Sequence, residues 1–158
     1  EMSASLVGSE MCIRDRVEKL LLREKKIAPC IACEACLRNG GTCVQEDDMA
    51  GILDKLVYAD VIVLSTPVYY YSVSAQLKVM IDRSLAGGKR LMNKEFYLIA
   101  TAADGKQAME TTMNDMLGYV RCLSGSSVKG RVYGSAFGIG EIKGKDAVEE
   151  AYRLGCGC

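Results

Sequence analysis

Val61-Ile62-Val63-Leu64-Ser65-Thr66-Pro67-Val68-Tyr69-Tyr70-Tyr71-Ser72 is the stretch from which the architecture can be read. Its first four residues are apolar, mostly β-branched and without alternation, as expected of a parallel strand covered on both faces. Strands of that kind belong to α/β proteins, in which a crossover helix follows. Ser72 or Ser74 is placed to cap such a helix, with Val73, Leu77, Met80, Ile81 and Leu85 as its apolar positions and Gly87-Gly88 as its end.

The same alternation extends outward in both directions. Upstream, Asp47-Asp48 supplies an N-cap and favourable charge for a helix with Met49, Ile52, Leu53, Leu56 and Val57 at helical spacing. Before it, Pro29 breaks the pattern, and an edge strand is expected near Glu18 to Arg23. Downstream, Phe96 to Thr101 repeats the buried-strand signature. The loop Ala102-Ala103-Asp104-Gly105 then leads to a long helix with Met109, Met113, Met116, Leu117, Val120 and Leu123 on one face. Methionines at that spacing read as core. A last strand, Gly130 to Gly138, and a last helix, Asp146 to Leu154, complete the chain. Alternating strands and helices imply right-handed crossovers and a doubly wound, mainly parallel sheet with helices on both faces.

The 158 residues suit one domain, and an apolar share of 49% allows a sizeable core. Twenty basic and twenty acidic residues cancel without a basic run, so neither a nucleic acid nor a membrane surface is expected as partner. Lys25-Lys26 and Lys143-Gly144-Lys145 read as solvated surface. No signal sequence is recognisable, and the expected location is cytoplasmic. With no histidine, His-based nucleophile or acid-base schemes are excluded.

Eight cysteines in a chain rich in long apolar elements argue against a secreted disulfide framework. Cys12, Cys156 and Cys158 are scattered or terminal, and Cys122 reads as a buried small hydrophobe. Cys30-Ile31-Ala32-Cys33-Glu34-Ala35-Cys36 and Cys43 place the other four within fourteen residues. Two-residue spacings let three soft thiolates converge, and Gly40-Gly41 lets the chain turn back with the fourth. The first three match the opening of the bacterial ferredoxin run, although the fourth spacing departs from it. Zinc favours two separated Cys-x2-Cys knuckles, and a Cys30–Cys33 redox pair leaves Cys36 and Cys43 without a purpose. An iron-sulfur cluster is therefore the leading reading; zinc, a redox pair and free thiols stay open.

In open α/β sheets ligands bind beyond the carboxyl ends of the strands. Thr66 to Ser72 offers rings and hydroxyls there, and Ala102 to Gly105 offers small residues that let a flat ligand approach the main chain. A planar aromatic cofactor suits both loops. The alternative is that the three tyrosines pack at a loop or subunit interface.

Thr66-Pro67-Val68-Tyr69-Tyr70, Ser74-Ala75-Gln76-Leu77-Lys78 and Ile81-Asp82-Arg83 together resemble the core signature of the flavodoxin-like NAD(P)H-dependent FMN reductases. Pro29-Cys30 through Cys43, followed by Asp47-Asp48-Met49, is similar to the iron-sulfur flavoprotein branch of that family. The resemblance covers about residues 17 to 155. It implies a flavodoxin-like sheet in which Thr66, Pro67, Val68, Tyr69, Tyr70 and Ser72 hold FMN and Thr101, Ala102 and Ala103 face its other edge. It also implies a [4Fe-4S] cluster on Cys30, Cys33, Cys36 and Cys43, near the flavin of the same or a neighbouring subunit of a homo-oligomer. Electrons would pass from NAD(P)H or reduced ferredoxin through FMN and the cluster to a small-molecule acceptor, with no catalytic side chain beyond those placing the flavin. The alternatives are an FMN-only reductase of quinones or nitro compounds, and a non-catalytic electron carrier or interaction module.

One departure from the family pattern stands at the start. Such proteins begin with a strand and a Ser- and Gly-containing loop for the FMN phosphate. Residues 1–16 carry no such element; Ser5 to Arg16 resembles translated sequencing adapter and is set aside as a foreign junction, leaving residues 17–158 as one domain incomplete at its start. The closing Gly155-Cys156-Gly157-Cys158 is read as similar debris or a surface tail. The first strand is thus expected to be missing, and the chain as written to bind FMN poorly or misfold.

Overall fold

The computed structural model describes residues 17–156; the segment expected to be foreign, 1–16, and the last two residues of the closing Gly155–Cys158 stretch lie outside it. Three strands form one sheet: β1 (Val61–Pro67), β2 (Glu95–Ala102) and β3 (Ser127–Ser135). They lie in that order and all run parallel. Helices α1 (Ala35–Arg38), α2 (Met49–Tyr58), α3 (Ala75–Arg83), α4 (Lys106–Arg121) and α5 (Asp146–Gly155) connect or follow them. The expected α/β alternation is therefore present, with strands and long helices within a few residues of their predicted limits.

The core follows from the helical and strand periods. Met49, Ile52 and Leu53 of α2, Leu77 and Met80 of α3, and Met109, Met113, Met116, Leu117 and Val120 of α4 bury against Ile62, Leu64, Phe96, Leu98 and Ala100 of the sheet. Phe96 and Leu98 are wholly buried in the middle strand. Gly130 lets α5 close over the opposite side: a Cβ there would meet a Leu154 methyl at 2.6 Å and the Tyr97 ring at 2.9 Å. The glycine that weakens β3 as a strand is thus the one that admits its covering helix.

Four expectations are corrected. β1 is not covered on both faces: its residues alternate, with Ile62, Leu64 and Thr66 buried while Val61 is 36% and Val63 50% exposed. An apolar run specifies burial only when a layer lies over each face, and among the described residues no such layer covers these two side chains. Glu18 to Arg23 is not a strand. It holds only a 3-10 turn at Leu22–Glu24, because an extended segment with no neighbouring strand gains no ladder hydrogen bonds. Leu85 is 52% exposed and Arg83 occupies the buried stripe of α3 instead, since α3 ends at Arg83 and tightens into a 3-10 segment, Ser84–Leu91. Cys122 is exposed at the end of α4, one step off its apolar face.

Among the described residues, no helix is long and apolar enough to cross a membrane. β1 pairs with β2 alone, so its outer edge has no strand partner among the described residues. An open edge beside exposed Val61 and Val63 templates further pairing. Concentration-dependent self-association is therefore expected, and Val63→Lys should reduce it at a cost within about 0.5 kcal/mol of stability. Equal light scattering from the two proteins would contradict this.

Candidate functional site

The two candidate loops meet at the carboxyl ends of β1 and β2. The Val68 N–H donates to the Thr101 carbonyl at 2.8 Å, joining the strand ends just where the chains diverge. Beyond it, Tyr69 and Ser72 exchange backbone hydrogen bonds, both at 3.1 Å, and close a tight turn. Its central residues, Tyr70 and Tyr71, have φ of 50° and 62°. Positive φ at both central positions is a turn for Asn-Gly, and bulky side chains occupy it only under strain. The strain displays rings: Tyr70 is wholly exposed, with Tyr69 and Tyr71 more than half so.

The remaining predicted cofactor residues divide by location. Thr66 is buried; its hydroxyl accepts from the Ser74 N–H at 3.0 Å and donates to the Pro67 carbonyl at 2.9 Å. It shapes the loop and the start of α3, whose N-cap is Ser74, accepting from the Leu77 N–H. The Ser72 hydroxyl donates to Asp115 at 2.7 Å and faces a concavity of about 260 Å³ shared with Lys78, Tyr119 and Cys122. Thr101 is half-buried and Ala102 buried, whereas Ala103 is exposed beside Asp104. Three exposed rings across from a small-residue loop suit the face of a flat cofactor such as FMN, while Thr66 and Ser72 have hydroxyls already engaged within the protein.

The cysteine loop is built by left-handed residues. Ala32, Glu34, Gly40 and Gly41 all have positive φ, and the single turn of α1 carries Cys36, after Cys30 and Cys33 and before Cys43. The Arg38 guanidinium donates to the Cys33 carbonyl at 2.9 Å, and the Gly41 N–H to the Cys36 carbonyl at 2.9 Å. At Gly41 a Cβ would sit 2.7 Å from the Ala86 carbonyl, so only glycine lets the loop lie on the 3-10 segment. Cys30 and Cys33 are exposed free thiols and Cys36 and Cys43 half-buried ones. Among the described residues no three acidic or cysteine side chains gather closely enough to hold a metal ion. The four thiols are soft donors, but they share one loop without forming a closed ligand set.

What sequence reasoning missed is how this loop is tied down. Asp47 does not act as a simple helix cap: its Oδ2 accepts from the Ala28 N–H at 2.9 Å and its Oδ1 from the Met49 N–H at 3.0 Å. Arg83 grips the same carboxylate with both terminal nitrogens, at 2.7 and 3.0 Å. It also donates to the Ala28 carbonyl at 2.6 Å and reaches the Gln45 carbonyl at 3.5 Å. The two side chains are 1% and 13% exposed, for Arg83 and Asp47 respectively. Burial alone would raise the Asp47 pKa, but the Arg83 hydrogen bonds, the two backbone N–H groups and the Arg83 charge bring it below the ordinary value. For Arg83, burial lowers the pKa, and Asp47, followed by Cys43, raises it on balance. The available signal was an arginine inside the apolar spacing of α3.

A second unforeseen feature closes the end of β3. Glu141 accepts from the Phe137 and Gly138 N–H groups and from Lys145, which also donates to the Ser135 carbonyl. Lys145 and those two N–H groups hold the Glu141 pKa down to about 2. Lys145 is thus a structural clip rather than solvated surface, and the loop it closes exposes Phe137 and Ile139.

Two outcomes test this geometry. Tyr70→Gly should stabilise the protein by about 1 kcal/mol in urea denaturation by relieving turn strain, while Tyr70→Ala should not. Because the folded pKa of Asp47 lies below its ordinary 3.8, its stabilisation is present above that value and disappears as pH falls through the folded pKa. Asp47→Asn should remove that acid-side loss of stability, and parallel profiles for the two proteins below about pH 4 would contradict the assignment.

Residues 10–136 match the family described as NADPH-dependent FMN reductase, a match that begins inside the segment 1–16. The iron-sulfur flavoprotein of Archaeoglobus fulgidus is 35% identical over 88% of this chain and 62% of its own length. The Trp repressor binding protein of Bacillus subtilis has a solved structure with a TM-score of 0.60 at 26% identity, covering 68% of this chain and 75% of that one. A flavodoxin, WrbA-like protein from Agrobacterium tumefaciens shares the fold with a TM-score of 0.53 at 18% identity, covering 65% of this chain and 68% of that one. The chain spans about half to two thirds of the length of the first curated relatives it matches. With its parallel sheet, its paired loops at the strand ends and its four-thiol loop, the chain belongs to the flavodoxin-like NADPH-dependent FMN reductase family, on the branch that includes the iron-sulfur flavoproteins.

Proposed function

We propose that this chain is the flavin domain, residues 17–158, of an FMN-dependent oxidoreductase that passes electrons from a reduced donor to a small-molecule acceptor. The observation that carries the reading is the junction of two ligand loops at adjacent parallel strand ends, through Val68 and Thr101, beneath a strained turn that displays three tyrosine rings. Tyr69, Tyr70 and the backbone of Pro67 and Val68 would hold one side of the isoalloxazine, with Thr101, Ala102 and Ala103 at its other edge; Thr66 and Ser72 support the loop from inside. When bound, FMN supplies two-electron acceptance and one-electron release.

Cys30, Cys33, Cys36 and Cys43 would ligate a [4Fe-4S] cluster as the next carrier. The support is the donor set, the left-handed turns that let the chain wrap, and the name of the Archaeoglobus relative. NAD(P)H or reduced ferredoxin is the proposed donor, and the working state a homo-oligomer in which the exposed rings meet a neighbouring subunit. A reducing, cytoplasmic compartment suits four free thiols. The dispersed arrangement of those thiols favours a second reading, an FMN-only NAD(P)H reductase of quinones or nitro compounds.

Anaerobic purification with iron, sulfide, zinc and flavin counts separates these readings. About four irons and four sulfides per chain with FMN, and loss of the iron in Cys33→Ser, are expected. FMN without iron, together with NAD(P)H consumption, would establish the second reading, and a chain that binds no flavin when offered FMN would overturn both.

A further inference from the structure

α4 is connected to both loops of the proposed flavin site. It starts at Lys106, directly after Asp104-Gly105, and so continues the small-residue loop that leaves β2. Further along the same helix, Asp115 accepts from the Ser72 hydroxyl at 2.7 Å, from a residue 43 positions earlier in the chain. Ser72 closes the turn whose central residues, Tyr70 and Tyr71, have φ of 50° and 62°. The Tyr70 ring is wholly exposed and the Tyr71 ring more than half exposed, so side-chain packing does not enforce that backbone. Enforcement comes from the hydrogen bonds at Ser72, and Asp115 supplies the one that reaches in from outside the turn. Lys78, on the same concavity as Asp115, pairs with Asp82.

We propose that Asp115 is a positioning residue for the flavin: by holding Ser72 it keeps Tyr70 and Tyr71 in left-handed backbone and so fixes the Tyr69 and Tyr70 rings relative to the loop Ala102 to Gly105. The proposal rests on the flavin reading above. Because the helix that carries Asp115 grows out of the second loop, the two halves of the site are joined a second time, beyond the Val68–Thr101 hydrogen bond. Preorganisation of this kind raises affinity by removing the cost of ordering a loop at the moment of binding. Its sign is opposite to that of direct charge. A carboxylate acting by charge alone would repel anionic FMN, and its removal would strengthen binding.

The test separates affinity from stability. FMN is titrated into the purified chain and its Asp115→Ala, Asp115→Asn and Ser72→Ala variants while flavin fluorescence is followed, and each flavin-free protein is unfolded in urea. Asp115→Ala and Ser72→Ala should each weaken FMN about tenfold, and the double variant no further, since both remove one bond. Asp115→Asn keeps an acceptor and should stay within about threefold of the parent. The urea midpoint of flavin-free Asp115→Ala should stay within about 0.3 M of the parent, because the turn relaxes when released. Tyr71→Gly, which takes positive φ without strain, should recover part of the affinity lost in Asp115→Ala. If Asp115→Ala does not fold, the loss in Ser72→Ala and its absence in Asp115→Asn carry the result. Unchanged or tighter FMN in Asp115→Ala, or a fall in its urea midpoint with affinity retained, overturns the role of Asp115 alone. A parent chain that takes up no FMN overturns the flavin reading and this proposal with it.

Discussion

The buried ion pair between Arg83 and Asp47 organises the half of the molecule that carries the chemistry. It crosses from the last turn of α3 to Asp47, two residues before α2, and takes in the carbonyls on either side of the cysteine loop. Placing a guanidinium and a carboxylate out of water costs several kcal/mol per ion, which attraction offsets only if the hydrogen bonds are well made. Here the carboxylate also accepts two backbone N–H groups, and the guanidinium satisfies two backbone carbonyls. The value of the pair is therefore positional as much as energetic. An apolar substitute could fill the space, but it could not hold four backbone groups of three different segments in register.

From that anchor the two parts of the proposed redox site become one unit. α3 begins just after its N-cap Ser74, two residues past the tyrosine turn, and ends at Arg83, which grips the cysteine loop. A nine-residue helix, rising about 1.5 Å per residue, is thus the spacer between the flavin loop and the thiols. Its two ends are fixed by different means. Thr66, whose hydroxyl accepts from the Ser74 N–H, and Ser74, whose hydroxyl accepts from the Leu77 N–H, set the start, and the buried cation sets the finish. A change at either end alters the separation of the two proposed carriers, to which electron transfer is sensitive.

Strain and exposure are concentrated at the same end of the sheet. Tyr70 and Tyr71 occupy left-handed backbone that costs on the order of 1–3 kcal/mol each, and the rings displayed there bury little apolar area in return. Such a cost persists where the surrounding structure enforces it, and the Tyr69–Ser72 backbone pair and the Ser72–Asp115 hydrogen bond do so here. The same end carries exposed Phe137 and Ile139 on a loop clipped by Glu141 and Lys145. Aromatic and aliphatic side chains presented on braced loops form a surface prepared for a flat ligand or a neighbouring subunit.

Much of this was legible in the amino-acid order because it depends on local periodicity. The four apolar residues of β1 mark a strand, the methionine stripe of α4 and the spacing of α2 each record a helix burying one side, and the alternation of strands and helices implies a parallel α/β sheet. The spacing of the four cysteines and the Thr66 to Ser72 stretch likewise mark where chemistry belongs. What tertiary structure decided is which faces find cover and which polar groups find partners. Val63 reads as buried yet lies open, because burial requires a layer that strand pattern cannot supply by itself. Arg83 stands inside the apolar spacing of α3 and lies buried, because its partners come from residues 36 and more positions away along the chain. Local sequence sets the elements; long-range charge pairing sets how the cysteine loop meets the flavin loop, and such pairing leaves no periodic trace.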